Sequence, residues 1–229
     1  AQDKVGTVQA GKMDRTEYND LIAGSWGICG ACTSMTTANS MCMIAEALGM
    51  TLPGNSTMSA VSSQLRHLSY QAGKQIVELV EKGITARQIM TEAAFCNAIK
   101  LDMAVAGSSN LKDLDLAGGM QALLQQLMPR LDGGCLTVNG CTLAENAARA
   151  VRYNEEVIRS LERPVSQEPG IGVLTGTLAP EGAILKIAAV PQELWSFSGK
   201  ARVYDSLHDG LEALRAGQIH EGDACVLRF

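Results

Sequence analysis

The sequence contains no run of basic residues and no long apolar run, and each absence excludes a class of partner. The net charge is −5 and the pI is about 5.3, so a nucleic acid is not the expected partner. No apolar stretch reaches the roughly 18 residues of a membrane span, and the first residues form no apolar signal region. Hydrophobic residues make up 46% of the chain, which indicates a globular protein able to bury a core.

Several familiar arrangements of catalytic and structural residues are also missing. There is no Gly-x-Ser-x-Gly elbow, Walker loop, His-Glu-x-x-His motif, internal repeat or coiled-coil heptad. The three histidines occur in unrelated contexts, which favours surface or packing roles. The seven cysteines are odd in number and irregularly spaced, unlike a secreted disulfide framework. A reducing, cytoplasmic compartment is therefore expected, with one or more thiols kept for a cofactor.

The stretch from Gly27 to Pro53 carries the strongest chemical signal. It places Cys29 and Cys32 in a glycine-rich turn, followed by small hydroxyl residues and a methionine-rich helix that stops at Gly49. A loop that opens a helix presents free N–H donors, and its glycines allow close approach to a bound group. Cys32 therefore lies where a metal or cofactor ligand would be placed. The alternative is a buried cysteine at a tight loop-to-helix junction.

The spacing of Cys29 and Cys32 does not by itself define the kind of site. A zinc ribbon needs a second Cys-x-x-Cys pair, and Cys135 and Cys141 have the wrong spacing. A thioredoxin-like pair needs a preceding parallel strand, and the preceding segment, Gly24-Ser-Trp-Gly, is not one. The residues alone indicate a globular protein with a candidate cysteine-ligated centre.

Apolar periodicity predicts an α/β protein in two portions, a helix-rich one at residues 1–130 and a β-rich one at 131–229. Expected helices cover about 14–23, the methionine-rich stretch up to 49, 64–82, a segment from 85, 91–106, 115–131, 142–153 and 206–216. A short strand with its turn is expected over 135–140, and strands are expected over 172–176, 183–190, 200–205 and 224–229. Thr142 and Glu145 have the spacing of a capping box.

Two of the expected helices have predicted apolar faces. In the methionine-rich helix the face consists of Met41, Ile44, Ala45 and Leu48. In the helix over 64–82 it consists of Leu65, Leu68, Ala72, Ile76, Leu79 and Val80. We expect both faces to be buried.

Several motifs extend the interpretation beyond the single residues. They are Gly30-Ala-Cys-Thr-Ser-Met-Thr-Thr-Ala-Asn-Ser-Met, Glu46-Ala-Leu-Gly-Met-Thr-Leu-Pro-Gly, Ala94-Phe-Cys-Asn-Ala-Ile, Gly107-Ser-Ser-Asn, Leu136-Thr-Val-Asn-Gly-Cys-Thr-Leu-Ala-Glu-Asn, Gly176-Thr-Leu-Ala-Pro-Glu-Gly-Ala and Ala201-Arg-Val-Tyr-Asp-Ser. In this order they resemble the iron–sulfur dehydratase family of dihydroxy-acid, phosphogluconate and sugar-acid dehydratases. Thr37-Ala-Asn-Ser-Met is nearer to the dihydroxy-acid branch, because sugar-acid members more often carry another residue in place of Asn39.

The resemblance implies a hydro-lyase that dehydrates a 2,3-dihydroxy carboxylic acid to a 2-keto acid. The substrate would be a branched-chain amino-acid precursor or a sugar acid. Cys32 falls on one of three cysteine positions that hold a [2Fe–2S] cluster, whose iron acts as a Lewis acid on the departing 3-hydroxyl. The resemblance also implies a Mg²⁺ ion, a homodimer or homotetramer, and an α/β N-terminal domain joined to a β-barrel-like C-terminal domain.

The resemblance also supplies candidate pocket residues. By position they are Thr37, Asn39, Ser108, Ser109 and Asn110. The catalytic base and the Mg²⁺ ligands have no counterpart in this chain.

The chain departs from the family pattern in blocks. Nothing before Asp3 corresponds to the region with the other two cluster cysteines, and nothing after Arg228 corresponds to the region with the base. Asn110 runs almost directly into Asp113, where the family has a longer helical insert, and Cys29 lies where the family does not normally place a ligand. Three hypotheses follow: the retained part of a full dehydratase, a shortened non-catalytic homologue that serves in assembly or interaction, and an unrelated Cys-x-x-Cys metal-binding protein.

Overall fold

A computed structural model of the chain describes residues 7–8, 11–25, 37–105 and 110–228. The chain divides into two compact units, Ala1–Ala189 and Val190–Phe229. No helix among these described ranges is long and apolar enough to cross a membrane.

The first unit is predominantly helical. Its helices are α1 (Arg15–Ser25), α2 (Thr37–Ala47), α3 (Ser63–Glu81), α4 (Ala86–Ile89), α5 (Glu92–Val105), α6 (Leu111–Leu116), α7 (Gly119–Leu127) and α8 (Leu143–Ala147). Short 3₁₀ turns cover Asn55–Thr57, Met128–Arg130 and Ile187–Ala189. Most predicted helices are confirmed near their expected positions. The predicted helix over 115–131 is instead broken at Gly118 and Gly119, whose φ angles of 126° and 64° lie outside the helical region.

The helix starts follow the capping residues in the sequence. The backbone N–H of Thr16 donates to Asp14 at the start of α1, and that of Gln64 donates to Ser62 at the start of α3. Thr142 and Glu145 form the predicted capping box. The helix that it starts is shorter than expected, since α8 ends at Ala147.

Strands in the first unit are few and short. β1 (Gly172–Leu174) pairs with β2 (Ala183–Leu185) as an antiparallel ribbon. The predicted strand over 183–190 ends early because the chain turns into a 3₁₀ helix at Ile187. The predicted strand over 135–140 is wrong, since only an isolated bridge joins Leu136 and Thr142 there.

The second unit is a small parallel β–α–β arrangement. β3 (Lys200–Tyr204) pairs in parallel with β4 (Asp223–Leu227), and α9 (Leu207–Arg215) connects them after Ser206 caps its first turn. The described residues thus contain two separate two-stranded sheets and no closed barrel, so the barrel-like C-terminal portion is not supported. Its apolar segments are interrupted by turns and 3₁₀ helices, which leaves strands too short for a closed sheet.

The core lies in the first unit and is built mainly from α2, α5, α6 and α7. Its fully buried large side chains include Met43, Leu101, Met120, Leu124, Leu143 and Ile158. The predicted inner face of α2 is partly wrong, because Met41 is 55% exposed while Asn39, Met43 and Glu46 point inward. These three positions are four and three residues apart, which is one helix face.

The predicted burial of α3 is also mostly wrong. Within the described part of the chain, Leu79 is the one buried residue of this helix. Ile76 and Val80, from the predicted apolar face, are 58% and 76% exposed. The helix nevertheless has the expected length and ends before Gly83, whose φ of 64° suits a helix stop.

Replacing Thr142 with alanine is expected to lower the free energy of unfolding by about 1 kcal/mol. The backbone N–H of Glu145 donates to the Thr142 hydroxyl at 3.2 Å, and the Thr142 N–H donates to Glu145 at 2.7 Å. Urea unfolding followed by circular dichroism measures the change. Thr142→Ser keeps the hydroxyl and is expected to retain most of the stability. Equal losses in the two variants would contradict the capping role.

Candidate functional site

The candidate site residues are carried by α2 and by the segments that adjoin α2 and α5 in the sequence. Gly49, just after α2, lies close to Ile89, just before α5, since a Cβ on Gly49 would be 3.2 Å from Ile89 Cγ2. α2 and α5 also pack against each other. Thr37 begins α2 and Val105 ends α5. In the sequence these two positions adjoin the Cys32 stretch and the Gly107-Ser-Ser-Asn motif.

The structure places three of the six predicted site residues. Thr37 is exposed at the start of α2, and Asn39 is buried two positions after it, with 1% exposure. Asn110 is exposed and caps α6: its side-chain oxygen accepts from the backbone N–H of Asp113 at 2.9 Å, and its amide donates to the Asp113 carboxylate. Their pocket-lining role stays a prediction.

The other three predicted site residues lie outside the described residues. These are Cys32, Ser108 and Ser109, and the neighbouring Cys29 also lies there.

Glu46, on α2, is a charged residue that is buried. Its side chain is 3% exposed and accepts three hydrogen bonds. The backbone N–H groups of Gly54 and Ser56 donate to Oε1 and Oε2 at 2.5 and 2.9 Å, and Gln121 Nε2 donates to Oε1 at 2.5 Å. The carboxyl group thereby ties α2 to the turn before α3 and to α7. The turn depends on Gly54, whose φ of 86° few other residues adopt.

Burial raises the pKa of Glu46. The hydrogen bonds that the carboxyl group accepts lower the pKa and offset part of this shift. Gln121 Oε1, in the side chain that donates to Glu46, is buried without a hydrogen-bond partner.

The stability that Glu46 contributes is expected to fall as the pH rises. The pKa of Glu46 in the folded protein is above the usual 4.5, which applies to the unfolded chain. Between these two pKa values the folded state binds a proton that the unfolded state has released. The contribution is complete below pH 4.5 and is lost as the pH passes through the raised pKa. Urea unfolding of the wild type and of Glu46→Gln from acidic to neutral pH measures it, because glutamine does not titrate. A difference between the two proteins that is constant with pH would contradict the expectation.

Other residues of the quoted motifs hold backbone segments. Asn97 on α5 is fully buried and forms two hydrogen bonds with the backbone of Asp132. Its side-chain amide donates to the Asp132 carbonyl at 2.9 Å, and its side-chain oxygen accepts from the Asp132 N–H at 2.8 Å. Asn146 donates to the Thr137 hydroxyl at 2.9 Å and accepts from Asn139 at 2.7 Å. These side chains secure the turns around the helices and are not grouped for metal binding.

A cluster or metal ion needs several converging ligands, and the described residues do not provide them. No three His, Cys, Asp or Glu side chains come together in the ranges that the structure covers. Cys42, Cys96, Cys141 and Cys225 are exposed, and Cys135 is partly buried. Burial and the nearby Asp132 raise the pKa of Cys135, which disfavours the thiolate form that ligates iron. The described residues alone therefore do not fit an iron–sulfur cluster or a Mg²⁺ site.

Sequence reasoning missed Glu46 and Asn97 as buried polar residues. A signal for Glu46 was present, because Asn39, Met43 and Glu46 share one helical face. For Asn97 the only signal was a polar residue between apolar ones in α5, which does not identify its partner.

Comparisons with known proteins match both ends of the chain. Residues 1–112 match the family described as Dihydroxy-acid/6-phosphogluconate dehydratase N-terminal, and residues 156–229 match Dihydroxy-acid/6-phosphogluconate dehydratase C-terminal. Together the two regions take in most of the chain and occur in the expected order.

Full-length relatives are also similar. A dihydroxy-acid dehydratase of Caldanaerobacter subterraneus is 38% identical over 99% of this chain and 49% of the relative. The corresponding proteins of Methanoregula boonei and Moorella thermoacetica are 36% and 38% identical, over 98% and 99% of the chain and 48% and 49% of the relatives. The chain thus spans about half the length of the curated relatives it matches. The match to the first extends over 270 positions, more than the 229 residues of the chain, so the relative carries internal residues that this chain lacks.

Proposed function

Because the chain belongs to the dihydroxy-acid/6-phosphogluconate dehydratase family, we propose that it functions in a hydro-lyase that dehydrates a 2,3-dihydroxy carboxylic acid. The observation that carries the proposal is the match to both the N-terminal and the C-terminal family regions. Identity of 36–38% over nearly the whole chain supports the same conclusion. Family membership excludes the hypothesis of an unrelated Cys-x-x-Cys protein.

The proposed reaction is defined by the atoms of the substrate. The C2–H and C3–OH bonds break, water leaves, and the resulting enol tautomerises to a 2-keto acid. The reaction is redox-neutral, since the product and water together contain all the atoms of the substrate. It requires a base at C2 and an acid at the departing hydroxyl.

We assign Cys32 as one ligand of a [2Fe–2S] cluster, with a Mg²⁺ ion nearby. Cys32 lies outside the described residues, and no three candidate ligands come together within them, so no reaction step is attributed to either group. Thr37, Asn39, Ser108, Ser109 and Asn110 are proposed to line the pocket. The support for this is the packing of α2 against α5, since Thr37 and Asn39 lie on α2 and the Gly107-Ser-Ser-Asn motif follows α5 in the sequence.

The proposal includes further properties that accompany such an enzyme. The partner is a small hydroxy acid, and the assembly is a homodimer or homotetramer in the cytoplasm. The division at residue 130 into an α/β N-terminal portion and a C-terminal portion also stays a prediction.

Turnover tests the proposal directly. The chain is expressed and purified anaerobically, reconstituted with iron and sulfide, and supplied with Mg²⁺. It is then incubated with 2,3-dihydroxyisovalerate or with a sugar acid such as gluconate. Formation of a 2-keto acid, detected as its hydrazone, is the expected result. Asn39 favours the dihydroxy-acid branch of the family. A larger rate with 2,3-dihydroxyisovalerate than with gluconate supports that assignment.

The same experiment distinguishes the non-catalytic alternative. A chain that binds iron and sulfide but forms no keto acid from either substrate would contradict the enzymatic proposal. It would favour the shortened homologue that serves in assembly or interaction.

A further inference from the structure

The turn that ends at Gly140 contains the one Asn-Gly pair in the sequence, Asn139-Gly140. Such a pair is open to deamidation, because the glycine has no side chain to shield its backbone nitrogen. That nitrogen gives up its proton and bonds to the side-chain amide carbon of the asparagine, the bond to the amide nitrogen breaks, and ammonia leaves. Water then opens the resulting succinimide ring to aspartate or isoaspartate. The net change is the gain of water and the loss of ammonia, so no reactant besides water is required.

Each reacting group of this pair is hydrogen-bonded to another part of the chain. The nucleophile, the Gly140 N–H, donates to the Thr137 carbonyl at 2.9 Å. Asn139 Oδ1 accepts from the Thr137 hydroxyl at 2.7 Å and from the Cys141 N–H at 3.0 Å. The amide nitrogen that would leave, Asn139 Nδ2, donates to Asn146 Oδ1 at 2.7 Å. Since an intramolecular attack requires one specific geometry of the two groups, these hydrogen bonds oppose the reaction.

Asn146 is the member of this arrangement that lies outside the turn. It lies on α8, and its side-chain amide also donates to the hydroxyl of Thr137, which is 2% exposed. The turn has a second anchor, because the Val138 N–H donates to the Gly49 carbonyl at 2.8 Å. The Asn139 side chain is therefore fixed from α8, while the backbone before it is fixed to the end of α2.

We propose that Asn139 is a site of spontaneous deamidation, which the hydrogen bonds of Thr137 and Asn146 protect as long as they hold its side chain. The product cannot restore the arrangement, because a carboxylate has no N–H to donate to Asn146. Isoaspartate also adds a carbon atom to the backbone of the turn. We therefore expect the modified turn to lose its hydrogen bond to Gly49. The proposal concerns the turn alone and does not depend on the catalytic function.

Comparison of the folded chain with a free peptide tests the protection. The wild type is incubated at mildly alkaline pH and digested with trypsin, which releases residues 131–149 as one peptide. Mass spectrometry measures the replacement of the amide NH₂ by OH, and fragmentation assigns it to Asn139. A synthetic peptide of the same sequence gives the rate without the fold. The folded chain is expected to react at least about tenfold more slowly, because its groups are held out of the attack geometry. Equal rates would overturn the proposal.

Substitutions test which side chains protect Asn139. Asn146→Ala is expected to deamidate there at least about tenfold faster than the wild type, because the leaving amide loses its acceptor. Thr137→Val removes the hydroxyl at nearly constant volume and is expected to change the rate in the same direction, so it carries the test if Asn146→Ala does not fold. Asn154→Ala is the matched control, because Asn154 is exposed and forms no hydrogen bond with the turn. Circular dichroism confirms folding. Folded Asn146→Ala and Thr137→Val proteins that react at the wild-type rate would show that neither side chain protects the site.

Discussion

Replacing Glu46 with alanine is expected to lower the free energy of unfolding by about 3–5 kcal/mol. The substitution leaves the N–H groups of Gly54 and Ser56 and the side-chain amide of Gln121 without their acceptor. Each buried donor left unpaired costs about 1–3 kcal/mol, and the loss is partly offset because the carboxyl group no longer has to be desolvated. The turn at Gly54, which the carboxyl group holds, is expected to loosen first.

Chemical unfolding monitored by fluorescence and circular dichroism measures this effect. Glu181→Ala is the matched control, because Glu181 is exposed in the same compact unit. The control is expected to change stability by less than about 0.5 kcal/mol. If the two variants are equally stable, the hydrogen bonds at Glu46 do not hold α2, the turn and α7 together. Hydrogen exchange at residues 54–56 separates local loosening from global destabilisation.

Replacing Cys32 with serine is expected to abolish the visible colour of the reconstituted protein and with it any dehydratase activity. A hydroxyl is a much poorer iron ligand than a thiolate, so the loss of one cysteine removes a required point of attachment. The iron and acid-labile sulfide content and the absorption spectrum report on the cluster independently of turnover. This is the largest functional effect expected of any single substitution in the chain.

Cys29→Ser provides a closely matched control for Cys32→Ser. The two cysteines are three residues apart in the same glycine-rich stretch, and only Cys32 is proposed as a cluster ligand. Cys29→Ser is expected to retain iron, sulfide and colour. If Cys29→Ser loses the colour and Cys32→Ser keeps it, the ligand assignment is reversed. If both variants keep it, the cluster is not bound by this stretch.

The helices were the most predictable part of the fold. The starts of α3 and α9 follow from the capping residues Ser62 and Ser206, and the stop of α3 follows from Gly83. Such signals act within one or two turns and do not depend on the rest of the molecule. Strands depend on distant partners, which is why the predicted strands over 135–140 and 183–190 are absent or shortened.

The candidate site was predictable only as a set of motifs. The motifs identified the family and singled out Cys32, and the comparisons confirm the family. The packing of α2 against α5 required the tertiary structure. The hydrophobic pattern of α2 also predicted its buried face only in part. It assigned Met41 to the interior, whereas the structure buries Asn39 and Glu46 and exposes Met41.

The sequence by itself therefore determined the family, the helical segments and their capped ends, because these depend on local residue patterns. The tertiary structure alone decided which polar groups are buried and which apolar faces are open. Glu46 is tolerated in the interior because Gly54, Ser56 and Gln121, distant in the chain, supply its hydrogen bonds. Ile76 and Val80 remain exposed because no described segment packs against that side of α3. Whether a side chain is buried depends on the segments that pack against it, and these come together only when the chain folds.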